Sequence, residues 1–511
     1  MEPFALLLVF LLAFALLFLR KLHGGNRAGK KLPPGPWRFP IIGNLHQVGS
    51  TPHRSFLRLA QKHGPLMFLQ LGFIPTLVVS SGETLKSIFK SHDIIFSGRP
   101  VLKVGTKLSF NNSNISFAQY GENWRQARKL CVVELLSPRR VRSFQSVREQ
   151  EVEMLCSAIT DLSSSNSSSI NLSEMVFALS YNVLCRVVFG DLLGGGAGVY
   201  QGRRSWFHGT MAETQNLVAG FCAADFFPGW DWIDGIIGQR DKVEKNFGEL
   251  NRFYERVIEE HLKSGKETET DDAFDKEDLV DVLLRLQEEA PDGGFLSTMD
   301  YVKGIMGDVF FAGTDTSSAT IIWTMTELMK NPRVMTKLQH EVQDAAIFNK
   351  TKVEESELQQ LNYLKLVIKE SLRLHPPAPL LVPRETLESC NVEGYDIPSK
   401  TRVFINAAAI ATDPKTWENP NEFWPERFTL SGTDLKGQDF NYVPFGIGRR
   451  SCPGVDFAAV LVELVLANLL HCFEWSLPDG MKPEDIDMGE ACGLTIHKKV
   501  PLCMVAKPKM H

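Results

Sequence analysis

The residues with the clearest chemical potential stand near the C-terminus, in Phe445-Gly446-Ile447-Gly448-Arg449-Arg450-Ser451-Cys452-Pro453-Gly454. One thiol lies among Gly446, Gly448 and Gly454, whose missing side chains let the backbone bend closely around something flat. Arg450 sets a fixed positive charge two residues before Cys452, which favours the thiolate and can reach a carboxylate on a bound group. With Phe445 as an aromatic lid, the set suits axial ligation of haem iron by sulfur, which pushes electron density to the metal and favours O–O cleavage. The alternative is a structural cysteine in a glycine-rich turn, the usual fate of a free cysteine.

The full pattern, Phe445-x-x-Gly448-x-Arg450-x-Cys452-x-Gly454, resembles the cysteine loop of the cytochrome P450 family. The resemblance implies that Cys452 is the proximal ligand of haem b (iron protoporphyrin IX), with Phe445, Gly446 and Arg450 around it. Trp124 and Arg128 are four apart and share a helix face. A cation over an aromatic ring explains that pair without a ligand. In context the W-x-x-x-R spacing resembles the family's propionate-binding helix, which implies that the indole N–H and the guanidinium neutralise haem carboxylates. Arg99, in Phe96-Ser97-Gly98-Arg99-Pro100, and Arg384, in Leu381-Val382-Pro383-Arg384-Glu385, fall where related enzymes contact propionates. Glu370-Ser371-Leu372-Arg373 and Phe423-Trp424-Pro425-Glu426-Arg427-Phe428 resemble the family's E-x-x-R motif and its partner arginine, implying a buried Glu370–Arg373–Arg427 triad that braces the cysteine loop.

Residues 298–330 read as one helix of roughly 50 Å, stopped by Asn331-Pro332. Asp308, Ala312, Asp315 and Thr316 fall at i, i+4, i+7 and i+8, a single stripe. Gly313 within the helix costs roughly 1 kcal/mol relative to alanine, so it needs a reason. We expect a local opening of the helix against the haem face that admits O2, with Thr316 hydrogen-bonding there and Asp315 relaying protons from solvent. A threonine bonded back to its own helix is the alternative. The string Ala312-Gly313-Thr314-Asp315-Thr316-Ser317 resembles the family's oxygen-activation motif.

Around these residues, the 511-residue chain has ordinary globular composition, with 44% hydrophobic and 23% charged residues. A formal charge of −5 gives no basic field pointing to nucleic acid. Nine scattered cysteines without C-x-x-C pairs argue against a disulfide framework or a zinc ribbon and fit a reducing compartment. The apolar run Phe4 to Leu19, followed by Arg20-Lys21, reads as an uncleaved membrane anchor, because a signal peptide carries its charge before the run. The basic residues after it place the bulk of the chain in the cytosol, on the endoplasmic reticulum membrane by the resemblance. Pro33-Pro34-Gly35-Pro36 should form an extended, semi-rigid spacer. The resulting division is 1–22 anchor, 23–44 basic linker and proline-rich hinge, 45–511 haem-thiolate catalytic domain. Residues 66–80 read as two short strands around a Gly72–Pro75 turn, and the charged run Lys266–Asp278 as a solvated connector.

Periodicity shows that helices dominate; a mainly α fold with small β-sheets and a buried haem is what the resemblance implies. It further implies a monooxygenase that uses O2 and electrons from NADPH through a separate NADPH–cytochrome reductase. Arg125, Lys129, Arg139, Arg140 and Arg449 form a candidate docking surface for that partner. The hinge, the Phe-Trp-Pro-Glu-Arg-Phe string and Gly493-Leu494-Thr495 most resemble the plant microsomal group of specialised metabolism, whose substrates include terpenoids, alkaloids and phenolics such as lignans. By the same analogy the pocket draws on residues 101–120, 206–232, the face of Asp308, Phe311 and Ala312, the turn 378–382, and Leu494-Thr495. The rival readings are a member of the fold that rearranges or dehydrates without O2, and a non-catalytic haem-binding protein. An intact Asp315–Thr316 pair argues against the first.

Overall fold

The computed structural model describes residues 31–164, 169–190, 206–264, 277–289, 294–345, 351–429 and 432–509; the expected anchor lies outside them. Six helices carry the argument: α1 (Glu122–Leu130), α2 (Gln145–Ser164), α3 (Leu172–Phe189), α4 (Met299–Lys330), α5 (Asn362–Leu374) and α6 (Val455–Cys472). Of the four small sheets among the described residues, the largest contains β1 (Leu66–Leu71), β2 (Ile74–Val79), β3 (Arg384–Glu385) and β4 (Arg402–Ile405) in the order β1-β2-β4-β3.

α3 and α6 are long and apolar enough to cross a membrane, yet 78% and 67% of their apolar windows are buried in the protein, so they are core helices. α4 starts after Thr298, runs 32 residues without interruption and stops where the Asn331 side chain donates to the Glu327 carbonyl at 2.8 Å, ahead of Pro332. At 1.5 Å per residue it spans about 48 Å. It packs along α3, where Phe310 meets Tyr181 and Phe189 with ring centroids 5.5 and 5.1 Å apart. Gly313 belongs to this contact. A Cβ there would lie 2.8 Å from Leu184 Cδ1, so the glycine makes room for α3 rather than opening the helix, which stays regular.

The β1–β2 hairpin pairs Leu66 with Val79 through Leu71 with Ile74, so the turn is Gly72-Phe73, with Gly72 at φ +60°. Pro75 stands inside β2. The parallel pairing with β4 begins only at Thr76, so the missing N–H removes no bond there.

The proline-rich hinge is docked rather than free. The Pro34 carbonyl accepts from Phe68 N at 2.9 Å, and a Cβ on Gly35 would sit 2.0 Å from the Phe68 carbonyl oxygen. The hinge is therefore tied to the edge of β1 at both ends, by Pro34 and Gly35 and by Gly43 and Asn44, and Asn44 exchanges bonds with Gln70 through its backbone (2.6 Å) and its side chain (2.8 Å).

The charged run also ends inside the protein. Buried Arg140 donates to Glu277 at 3.1 Å, and Asp278 caps the helix Leu279–Glu288 through Val280 N and Asp281 N.

Candidate functional site

The loop before α6 is closed by Cys452 N donating to the Phe445 carbonyl at 2.8 Å. Two positive φ angles shape it, +75° at Gly446 and +65° at Gly448. At Gly448 there is no space either, since a Cβ would come within 2.4 Å of Asp93 Oδ1. Gly454 is the N-cap of α6, so Cys452 sits at the positive end of an 18-residue helix. Burial pushes its thiol pKa up, while the Gly454 N–H and the Arg128 charge hold it down. Cys452 nevertheless has accessible surface, and that surface faces an internal cavity.

Phe445, Gly446 and Cys452 share this cavity with Ala312, Gly313 and Thr316 of α4 and with Trp124 and Arg128 of α1. Arg99, Arg384 and Arg450 line it as well. All of the expected cofactor residues thus converge on one space. Only Asp315 of the expected set stands outside it.

Four guanidiniums in one cavity need an explanation. Burial lowers the pKa of all four, with Arg384 brought to about 10 and Arg450 to about 9. They also depress one another: Arg450 and Arg384 act on Arg99, Arg384 and Arg128 act on Arg450, and Arg128 acts on Arg384. Their partners are mainly carbonyls. Arg450 donates to Ser97, Ile115 and Ala118 oxygens at 2.9, 3.1 and 2.7 Å; Arg99 to Ser116, Val382 and Pro383; Arg384 to Phe96 and Ile447. Arg128 donates to Ser451 Oγ at 3.1 Å. A flat group bearing two carboxylates would add the negative charge that Asp308 and Asp93 supply only in part, and the thiol could hold its metal. The residues present fit haem.

Trp124 is positioned differently from the expectation. Its indole N–H donates to the Ile115 carbonyl at 3.0 Å, and the ring lies 4.1 Å beneath the Arg450 guanidinium carbon. In this structure it is a platform for the arginine.

On α4 the lining residues include Val309, Ala312, Gly313, Thr316 and Thr320, a face centred on Thr316. At about 100° per residue, Asp315 lies a quarter turn off that face. Its buried carboxylate accepts instead from His497 Nε2 at 2.7 Å. The Thr316 hydroxyl donates to the Ala312 carbonyl at 2.6 Å, the back-bonded form.

Asp308, also on the cavity wall, accepts from Asn114 Nδ2 (2.8 Å), Ile115 N (2.7 Å) and Ser116 N (2.8 Å). Burial raises its pKa and these N–H groups oppose the rise. It ties the segment around Ile115 to α4. Of the other segments expected at the pocket, Ala378, Leu381 and Val382 line the cavity with Ile115 and Ser116 of 101–120, whereas Phe311, Leu494, Thr495 and residues 209–232 do not. Leu184 and Val187 of α3 and Leu135 also line it, and no local signature in the sequence marks them.

Glu370 and Arg373 on α5 are both fully buried. Arg373 donates to Glu370 at 2.7 and 2.8 Å, and Arg427 Nε joins at 3.0 Å. On the outer surface, Arg125, Lys129, Arg139 and Arg449 are exposed, but Arg140 is not. It is withdrawn from the expected docking surface because its charge is spent on Glu277.

Residues 33–504 match the family model described as Cytochrome P450. The chain is 49% identical to strychnine-11-hydroxylase of Strychnos nux-vomica, covering 97% of this chain and 95% of that one. It is 49% identical to cytochrome P450 71A9 of Glycine max over 99% of each chain, and 43% identical to premnaspirodiene oxygenase of Hyoscyamus muticus, again over 99% of each. A solved zebrafish cytochrome P450 with progesterone superposes with a TM-score of 0.75 at 25% identity, covering 90% of this chain and 99% of that one.

Proposed function

The chain belongs to the cytochrome P450 family and is a haem-dependent monooxygenase of the plant type, and on that premise we propose how its own residues divide the work. Cys452 holds the iron of haem b, and Arg99, Arg128, Arg384 and Arg450 hold the carboxylates. The convergence of these four arginines and the thiol on one cavity is the observation that carries the reading. When bound, the haem supplies activation of O2, with the thiolate favouring O–O cleavage.

Thr316 presents its hydroxyl to the cavity and Asp315 supplies protons to it from the solvent side, after the Thr316 hydroxyl leaves the Ala312 carbonyl and the Asp315 carboxylate turns inward. The apolar walls exclude water and select an apolar small molecule. We assign hydroxylation or a related oxidation, O-demethylation included, of a plant specialised metabolite such as a terpenoid, alkaloid or phenolic. The names of the relatives, a strychnine hydroxylase and a premnaspirodiene oxygenase, support that range.

Electrons come from NADPH through a separate cytochrome reductase, docking where Arg125, Lys129, Arg139 and Arg449 stand exposed. The chain sits on the endoplasmic reticulum membrane, anchored through residues 1–22. Exposed Trp37, Phe39, Ile41 and Ile42 of the hinge, together with Phe73, Phe221, Trp232, Ile236 and Ile237, support contact with that membrane. The hinge bridges to Leu71 through Gly43, and Phe73 packs on Phe227 and Trp230 at 5.4 and 5.8 Å, so the patch is connected.

The test is the reduced, CO-bound spectrum. The full chain should show the red-shifted Soret band of thiolate-ligated haem and C452A should lack it; retention of the band in C452A overturns the assignment.

A further inference from the structure

We propose that His497 is the solvent-side member of the proton path, exchanging protons with water and passing them to Asp315. This rests on the relay assigned above to Asp315 and Thr316. His497 lies on the strand Ile496–Lys498, which is tied to α4 because Trp323 Nε1 donates to the Ile496 carbonyl at 3.2 Å. Ile496 N donates in turn to the Pro377 carbonyl at 2.9 Å, so the strand is fixed from two sides. Between them, His497 Nε2 meets Asp315 Oδ1 at 2.7 Å.

Exposure gives the pair its direction. The Asp315 side chain is 7% exposed and that of His497 is 37% exposed. The carboxylate therefore meets bulk water mainly through the imidazole.

Neighbouring charges are otherwise engaged. Glu490, on the partner strand Glu490–Cys492, is held by His53 at 3.1 Å and Arg54 at 2.8 Å. Lys498 donates to the Asp487 carbonyl. Among the described residues, Asp315 pairs with the imidazole of His497.

The proton balance is simple. An imidazolium gives its Nε2 proton to Oδ1, leaving a neutral ring and a neutral carboxylic acid, and the exposed ring regains a proton from water. Neutralisation also ends the ionic hold on Asp315. A neutral acid crosses an apolar wall at far lower cost than a carboxylate, so the same event frees the side chain to turn toward Thr316.

The experiment compares D315N, H497A and H497Q in the full-length enzyme with its reductase in membranes, using 7-ethoxycoumarin as the probe. Product and peroxide are counted per NADPH, the solvent deuterium effect is measured, and backbone hydrogen exchange is followed at 310–320 and 490–498 in the resting enzyme. H497A should exchange faster at both segments and lose about threefold to tenfold in product per NADPH, below the ~100-fold of a full acid–base deletion. H497Q keeps a side-chain N–H donor for Asp315 but carries no proton, so its exchange should match wild type while its coupling and solvent isotope effect match H497A. Wild-type coupling in H497Q, or unchanged hydrogen exchange in H497A, overturns the inference. Unchanged coupling in D315N instead overturns the relay beneath it.

Discussion

Replacing Glu370 by glutamine tests the brace behind the cysteine loop. The carboxylate accepts two bonds from Arg373 (2.7 and 2.8 Å), one from Arg427 Nε (3.0 Å) and one from the Trp424 backbone N–H (2.8 Å). Arg373 reaches on to the carbonyls of Ala411, Pro420 and Glu422, so Glu370 centres a junction between α5 and the segment leading to the loop. Glutamine keeps the shape but removes the charge and offers an N–H where an acceptor was needed. Two guanidiniums are then left without their anion, a loss of about 3–5 kcal/mol. At 1.4 kcal/mol per decade that lowers the folded-to-unfolded ratio by at least ~100-fold. Urea titration followed by the CO-bound Soret band and by tryptophan fluorescence reads both the loop and the fold. The Soret band of E370Q should be lost at lower urea than in wild type. A paired E370L/R373L variant should recover part of the loss, because it leaves fewer charges unmatched. If E370Q unfolds within about 0.5 kcal/mol of wild type, the ordinary range for a surface change, the brace is not holding the loop.

T316A should keep its haem and divert electrons to peroxide; unchanged product per NADPH in that variant removes Thr316 from the relay. G304A should destabilise strongly, because a Cβ there would sit 2.0 Å from the backbone oxygen of Ser113, and equal urea midpoints for G304A and wild type would refute that packing. Deleting residues 1–31 should release much of the protein from membranes while leaving a salt-resistant fraction bound through the hinge and Phe73 patch, and complete release contradicts the role of that patch. For His261, burial alone would lower the pKa, but Asp278 at 2.7 Å raises it to about 9. A raised folded-state pKa stabilises most below the unfolded value near 6.5 and is lost as pH climbs through about 9. Wild type should therefore lose stability between pH 7 and 9.5 more steeply than H261N, and parallel slopes would refute the pair's role.

The chemistry of the site was legible because it resides in residue types at fixed spacing. Cys452 with its glycines, the Trp124–Arg128 and Glu370–Arg373 pairs, and Thr316 each carry a local signature that survives without coordinates, and so does the predominance of helix. What the sequence hid was direction. Asp315 and Thr316 are neighbours, and only the packing of α4 decides which one faces the cavity. Gly313 looked like a break in a helix and proved to be a seat for Leu184, a contact between residues 129 positions apart. Arg140 looked like surface charge because its partner, Glu277, lies far away in sequence. The proline-rich hinge reads locally as a spacer, and its attachment to β1 is a tertiary fact.

The triple grip of Asp308 on Asn114, Ile115 and Ser116 bears on how such a catalyst diversifies. It works like a rivet through one point of the cavity's rim, made to two backbone N–H groups and one side chain. Residues 101–113 on one side and 117–120 on the other can then be rewritten without detaching the rim from the helix that carries Thr316. Ile115 and Ser116, the two residues of that stretch on the cavity wall, keep their place over α4 whatever changes beside them.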